Sequence, residues 1–202
     1  MPVSAPSISV DDSVLVERCC RGDSSAMERL ILKYQNRLFN TILRICANPE
    51  DAAELTQETF VKIIEGIGRF QGKSSFYTWA FRIAVNLAIN HSQRHRRIGF
   101  HSLDTEESGV GEGAALILKD FLHNENAPDP AGLAQNKELC EMVTLALMRL
   151  DETHRTVIVL RDIEGMNYAQ IAQVLEVELG TVRSRLSRAR SSLKEILETM
   201  LK

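Results

Sequence analysis

Asn167-Tyr-Ala-Gln-Ile-Ala-Gln-Val-Leu-Glu-Val-Glu-Leu-Gly-Thr-Val-Arg-Ser-Arg-Leu-Ser-Arg-Ala-Arg-Ser-Ser-Leu193 carries two helical periodicities separated by a short polar turn. Asn167 with Gln170 forms a cap-like start. Ile171, Ala172 and Leu175 then mark a short helix, and Glu176 to Leu179 a tight turn. A last helix begins at about Gly180. Its Val182, Leu186, Ala189 and Leu193 recur at i, i+4, i+7 and i+11, which at about 100° per residue is one stripe. The opposite side presents Thr181, Ser184, Ser187, Arg188 and Ser191. Arg183, Arg190 and Lys194 lie along one flank and Arg185 along the other. This pattern predicts a helix-turn-helix. Small hydroxyl residues let a helix sit deep in a major groove. Arginine reaches guanine edges in bidentate fashion, and flanking cations hold phosphates.

Working back toward the N-terminus, Asn136, Cys140, Val143, Leu147 and Leu150 share one helical face. Asp151 caps the next helix, which carries Val157, Ile158, Leu160 and Ile163 and stops at Gly165. Residues 99–132 differ in character: they are acidic, hold Gly109, Gly111 and Gly113, and end in Asn126-Ala-Pro-Asp-Pro130. A connection this long inside one compact domain would be unusual, so it predicts a flexible acidic linker between two small domains, residues 12–98 and 133–202. Residues 1–11 read as a flexible tail.

In the first half, Asp12 or Ser13 is expected to cap a short first helix. Ser25 with Glu28 fits a capping box for the second, whose Leu30, Ile31, Tyr34, Leu38, Ile42 and Ile45 form a stripe. Asn48-Pro49 starts a third helix. Ala53, Phe60, Ile63, Ile64 and Ile67 are expected on its inner side. A fourth helix is expected from Ser75 to near Arg97. No strand pattern is convincing, and the fold class is all-α.

The 202 residues are 44% hydrophobic and 25% charged, with a formal net charge of −3. The overall charge hides two acid-free basic segments, Arg82 to Arg97 and Gly180 to Lys194. A field is local at physiological salt, so these patches matter more than the sum. Cys19, Cys20, Cys46 and Cys140 form no CxxC or Cys/His cluster, and no metal or cofactor is expected. No secretory signal or membrane-length apolar run is evident, so the chain is expected to be cytoplasmic and without direct membrane insertion. HExxH, P-loop and paired-nucleophile patterns are absent from the sequence, and no enzyme activity is expected.

Two further faces carry chemistry. On the fourth helix Phe76, Ala80, Ile83 and Leu87 make a buried stripe with Trp79 beside it. Arg82, Asn86, Asn90 and Arg94 form a row at every fourth position. Asparagine is a poor helix former, which suggests a row kept for contacts. Tyr77, Phe81 and the loop residue Phe70 offer π-faces near it, and aromatics beside cations suit unstacked single-stranded bases. On the third helix Asp51, Glu54, Gln57, Glu58 and Glu65 share a polar side. An acidic face cannot bind DNA, so its partner, if it has one, is a protein.

Four segments together resemble the extracytoplasmic-function sigma factors, the sigma-E-like branch in particular. They are Asp51-Ala-Ala-Glu-Leu-Thr-Gln-Glu-Thr-Phe60, Phe70-Gln-Gly-Lys-Ser-Ser-Phe-Tyr-Thr-Trp79, Arg82-Ile-Ala-Val-Asn86 and Gly180-Thr-Val-Arg-Ser-Arg-Leu-Ser-Arg-Ala-Arg190. The resemblance implies a sigma-2 and a sigma-4 domain that bind core RNA polymerase, through its β and β′ subunits, and promoter DNA. Asp51, Glu54, Gln57 and Glu58 would bind the β′ clamp helices. The loop from Phe70 through Lys73 to Ser75 would capture a flipped base of the −10 element, beside Tyr77 and Arg82. Asn86 and Asn90 would recognise and melt it. Arg183, Ser184, Ser187 and Arg188 would face the −35 element, with Arg161 and Thr181 near its phosphates. An anti-sigma factor would be a further partner. In such proteins the turn of the helix-turn-helix often has Gly or Asn where this chain has Glu176. The alternative is a conventional homodimeric helix-turn-helix regulator, which accounts for Asn167 to Lys194 but leaves the fourth-helix face without a role.

Overall fold

A computed structural model describes the backbone of residues 10–99 and 142–201 and the side chains of 12–94 and 142–201. The tail, the acidic linker, Asn136, Cys140 and the side chains of Arg96 and Arg97 lie outside the described residues. Among the described residues every regular element is helical.

In the first domain, α1 spans Val10–Cys20. Asp12 sits inside this helix rather than capping it. It is buried and accepts hydrogen bonds from Lys33 Nζ at 2.6 Å and the Tyr34 hydroxyl at 2.5 Å, which tie α1 to α2. The second helix, α2, spans Ser24–Cys46, and its cap is Asp23 rather than Ser25. The Asp23 carboxylate accepts from the amides of Ser25 and Ala26 and from the Ser25 hydroxyl. An aspartate two residues earlier offers its Oδ1 to the orphan amides while Oδ2 takes Arg18, and it wins. The buried stripe of α2 is Ala26, Leu30, Tyr34, Leu38, Thr41, Ile42 and Ile45.

Helix α3 spans Pro49–Gly66. As expected, Asn48 caps it and Pro49 occupies its first turn. Its inner face is Ala52, Leu55, Thr59 and Ile63. Ala53 is exposed and Ile64 is 50% exposed, against expectation. Thr59 can take an inner position despite its polarity. Thr59 donates its hydroxyl to the Leu55 carbonyl at 2.6 Å, so a residue that looks polar in sequence is satisfied within its own helix and buries.

After a 3₁₀ turn at Ile67–Arg69, α4 runs over Phe76–Gly99. Ser75 is its cap: the hydroxyl oxygen accepts from the Thr78 amide at 3.1 Å. The buried face is broader than one stripe and includes Phe76, Tyr77, Ala80, Phe81, Ala84, Val85 and Ala88. This breadth follows from packing: α4 lies against α2 and α3 and also against a helix of the second domain. At the end of α3, a Cβ on Gly66 would stand 3.1 Å from the Trp79 ring, so the absent side chain is what lets that ring close over the helix end.

The second domain begins with α5 (142–148). Helix α6 covers Glu152–Ile158 and is capped by Asp151, as expected. It continues through a π turn at Val159–Ile163, in which the Glu164 amide donates to the Val159 carbonyl at 2.9 Å. Gly165 follows with φ +71°, a left-handed conformation that favours glycine. Helix α7 spans Tyr168–Leu175 behind the expected Asn167–Gln170 capping box. Glu176 ends it with φ 53°. Helix α8 spans Leu179–Met200. Leu147, Leu150, Val157, Leu160, Met166, Ile171, Val174, Val182, Leu186 and Ala189 build the core.

The domains pack directly, α2 against α6 and α4 against α7. Ser92 donates to Glu152 Oε2 at 2.6 Å, and Arg155 Nη1 to the Ile45 carbonyl at 2.9 Å. Glu164, displaced inward by the π turn, meets Arg37 of α2.

Candidate nucleic-acid interface

Helices α7 and α8 with the turn between them form the expected helix-turn-helix. Val182, Leu186 and Ala189 anchor α8 in the core, so its phase is set. Arg183, Ser184, Ser187 and Arg188 are then all exposed, and Thr181 is half-buried. Ser184, Ser187 and Arg188 thus lie on the solvent side that sequence periodicity assigned to them, and Arg183, expected on a flank, is exposed as well. Two flanking arginines behave differently. Arg190 makes a two-point contact with Asp162, at 2.6 Å and 3.2 Å, which clamps α8 to the end of α6. Arg161 donates to the Met166 carbonyl at 2.7 Å and lies 5.2 Å from the centre of the Tyr168 ring. Its guanidinium holds the loop that leads into α7.

At the start of α4 lies an open cavity of about 300 Å³. Phe70, Trp79, Thr78, Lys73, Arg69 and Arg82 line it, joined by Gln173 from α7 of the second domain. Phe70 stands 5.1 Å from Trp79, centre to centre, so the two rings form one aromatic wall between cations. Lys73 is exposed, Arg82 and Asn86 are half-buried and Asn90 is exposed, so the expected row along α4 stays within reach of solvent. Arg69 and Trp79 belong to this cavity but were not chosen from sequence as binding residues. The signal was there, since both flank Phe70 and Arg82 within one loop-and-turn segment.

Two residues expected at this face are placed otherwise. The Ser75 hydroxyl is engaged in the α4 cap. Tyr77 is buried, as is Phe81 behind it. The Tyr77 hydroxyl accepts from Arg37 Nη2 at 3.1 Å and donates toward the Glu164 carbonyl at 3.3 Å. Burial, and then the nearby Glu164 carboxylate, push the Tyr77 hydroxyl well above its ordinary pKa. Aromatic residues at i and i+4 on α4 looked available to bases, but the helix is covered on that side by the second domain.

On α3, Glu54, Gln57 and Glu58 are exposed. Asp51 is half-buried, with His91 Nε2 at 3.7 Å from its carboxylate. Val61 and Ile64, each about half exposed, extend the same outer side of α3.

Fold and surfaces together define a two-domain helical DNA-binding protein with a helix-turn-helix at its C-terminal end. Residues 30–98 match Sigma-70 region 2 and residues 140–193 match Sigma-70 region 4. The chain is 38% identical over 192 residues to the RNA polymerase sigma-H factor of Pseudomonas aeruginosa, covering 95% of this chain and 96% of that one. It is 33% identical over the same length, with the same coverage, to the ECF RNA polymerase sigma-E factor of Escherichia coli strain K12. Two solved structures share the fold. One is CnrH in complex with the cytosolic domain of CnrY, with 21% identity, 94% of this chain and 98% of that one covered, and TM-score 0.64. The other is the sigma factor RpoE in complex with the anti-sigma factor NepR from Bartonella quintana, with 21% identity, 85% and 96% coverage, and TM-score 0.63. The chain belongs to the extracytoplasmic-function group of the sigma-70 family and directs RNA polymerase to promoters. The homodimeric-regulator alternative is not favoured, because the similarity to sigma factors runs through both domains. Among the described residues no helix is long and apolar enough to cross a membrane.

Proposed function

We propose that the first domain engages core polymerase and the −10 element while the second reads the −35 element. The observation that carries this division is the aromatic cavity of Phe70 and Trp79, flanked by Lys73 and Arg82, with Asn86 and Asn90 further along the same helix and within reach of solvent. Stacking surfaces beside cations suit an unpaired base, a substrate that a duplex-binding regulator does not present. Phe70, Lys73, Arg82, Asn86 and Asn90 hold the non-template strand at −10, and the Ser75 cap orients the loop that presents them. Tyr77 joins this face only when the second domain moves away.

On the other domain, Arg183 and Arg188 contact base edges, Ser184 and Ser187 allow close approach, and Thr181 meets the backbone at the helix start. Arg161 acts by positioning α7 rather than by touching phosphate. Asp51, Glu54, Gln57 and Glu58, with Val61 and Ile64 beside them, bind the β′ clamp helices, and the second domain contacts the β subunit. Polymerase holds both domains at once, so two modest interfaces combine. An anti-sigma factor competes for the same surfaces. Support for that partner comes from the fold shared with a sigma factor solved together with one. Both partners place the working protein in the cytoplasm.

Run-off transcription with bacterial core polymerase over a promoter library tests this reading. Transcripts that depend on the protein are expected to vanish with Asn86→Ala plus Asn90→Ala, while polymerase capture persists. Glu54→Lys with Glu58→Lys is expected to abolish capture. Unchanged transcription by both variants would overturn the assignment.

A further inference from the structure

The first turn of α8 departs from local rules that other helix starts in the chain obey. Asp23, Asn48, Asp151 and Asn167 each cap their helices through a side chain, whereas Glu178 gives α8 no side-chain hydrogen bond. The second residue of the helix is Gly180, and glycine is a poor helix former. Its φ lies outside the left-handed region, and a Cβ built on it would meet nothing within 4 Å. Neither the backbone nor the packing of the protein therefore requires glycine there. The missing side chain leaves room for something that approaches from outside. Local rules broken without a gain to the fold are expected at functional positions.

Leu179 stands beside it as the first residue of the helix. Leu175 and Val177, just before it, pack against the core, but Leu179 is 37% exposed. At about 100° per residue, Leu179, Arg183 and Ser187 fall in one row, and Gly180, Ser184 and Arg188 in the next. All six are exposed. Five of them are glycine, serine or arginine, and Leu179 is the one large apolar member. A lone exposed leucine is ordinary on a protein surface. At the N-terminal end of a recognition helix, however, its surroundings are the base edges of the major groove. The apolar group among those edges is the C5 methyl of thymine. An aliphatic side chain that covers the methyl removes both from water, and it offers nothing to the donors and acceptors of the other bases.

We propose that Leu179 reads a thymine of the −35 element through its C5 methyl, and that Gly180 lets the duplex approach closely enough for that contact. Four residues of helix rise about 6 Å, and a duplex rises about 3.4 Å per base pair. The thymine therefore lies about two base pairs from the base that Arg183 contacts. This inference rests on the −35 role proposed for the second domain.

Deoxyuridine lacks only that methyl, so it tests the contact. Holoenzyme is assembled from bacterial core polymerase and the full-length protein, on a promoter selected from the library. Each −35 thymine is replaced by deoxyuridine in turn, and promoter binding is measured by competition. One replacement, about two base pairs from the base whose preference Arg183→Ala relaxes, is expected to weaken wild-type binding about fourfold, the worth of one buried methyl. Leu179→Ala is expected to bind the thymine and deoxyuridine promoters equally. Gly180→Ala is expected to raise the thermal midpoint of the free protein and yet weaken promoter binding severalfold, a pairing that a purely structural glycine would not show. Wild-type binding unchanged at every replacement would overturn the thymine contact. A difference that persists in Leu179→Ala, or a selected −35 element with no thymine at that place, would do the same. Gly180→Ala that leaves promoter binding unchanged would overturn the close approach. The wild-type comparison uses no variant, so it decides the contact even if Leu179→Ala does not fold. If Arg183→Ala and Arg188→Ala leave the −35 preference unaltered, the −35 role of α8 falls and the thymine contact with it. An arginine effect without a deoxyuridine effect removes the thymine contact alone.

Discussion

Arg37 and Glu164 stand 127 residues apart, yet the guanidinium Nε and the carboxylate Oε2 are 2.6 Å from each other across the domain contact. Both belong to faces that bury against the other domain, and the pair makes two small cores depend on one another. Below about 80 residues a single core supplies little stability of its own, so this dependence should be measurable.

The wild type is expected to unfold in urea as one transition. Glu164→Ala leaves Arg37 beside an empty acceptor, and losing one partner of such a pair costs about 3 kcal/mol. The variant is expected to show two transitions, one per domain, in circular dichroism. A single transition at an unchanged midpoint would show that the contact does not couple the domains.

The two kinds of arginine on α8 should separate cleanly. Arg188 is exposed on the outer face, whereas Arg190 is clamped to Asp162. Arg188→Ala is expected to weaken −35 duplex binding by about 1–3 kcal/mol and to relax selectivity at one base pair. Arg190→Ala is expected to lower the thermal midpoint without changing which base is preferred. Selection of binding sites from random duplexes, beside thermal melts, distinguishes them.

Glu176 holds φ 53° at the end of α7, a conformation that costs an L-residue about 1 kcal/mol and a glycine almost nothing. Glu176→Gly is expected to stabilise the protein by about 1 kcal/mol, read as a shifted urea midpoint with an unchanged slope. It also removes an acid from the turn of the helix-turn-helix, so duplex binding should tighten and become more dependent on salt, because the repulsion that salt had screened is gone. Destabilisation by this change would mean that the side chain makes a contact outweighing the strain.

Burial pushes the Cys46 thiol up to about 11. Its folded pKa therefore lies above its unfolded value of 9.0. The neutral thiol's contribution to stability is complete below pH 9 and fades as the pH rises from 9 toward 11, where both states ionise. Cys46→Ala should flatten the pH dependence of stability in that window. Alkylation followed by peptide mapping should label exposed Cys20 well before Cys46 at pH 8. Equal labelling would contradict the burial.

Much of the site was legible in sequence because it depends on local rules. The stripe Val182, Leu186 and Ala189 phases α8, and once one side is buried the opposite side is exposed by geometry alone. Asn48-Pro49, Asp151 and Asn167 with Gln170 set helix starts through capping groups that lie within three residues. Errors arose where a neighbour from elsewhere decided the outcome. Ala53 and Ile64 were expected inside because they are apolar, but Ala52, Leu55 and Thr59 face the core instead, and Thr59 can be buried because its hydroxyl is satisfied within its own helix. Tyr77 was expected at the DNA face because its helical row allowed it. The row could not reveal that Glu164, across the linker, would claim its hydroxyl.

The sequence by itself determined the helices, the helix-turn-helix, the acidic face of α3 and the family, since each follows from periodicity, capping and motif order within short windows. Only the tertiary structure decided that the two domains close on each other and that Tyr77 and Arg37 serve that closure. There a π turn and one left-handed glycine border a single carboxylate that meets donors from the other domain. The energy of that closure comes from pairing across 127 residues, a distance over which no local pattern carries information.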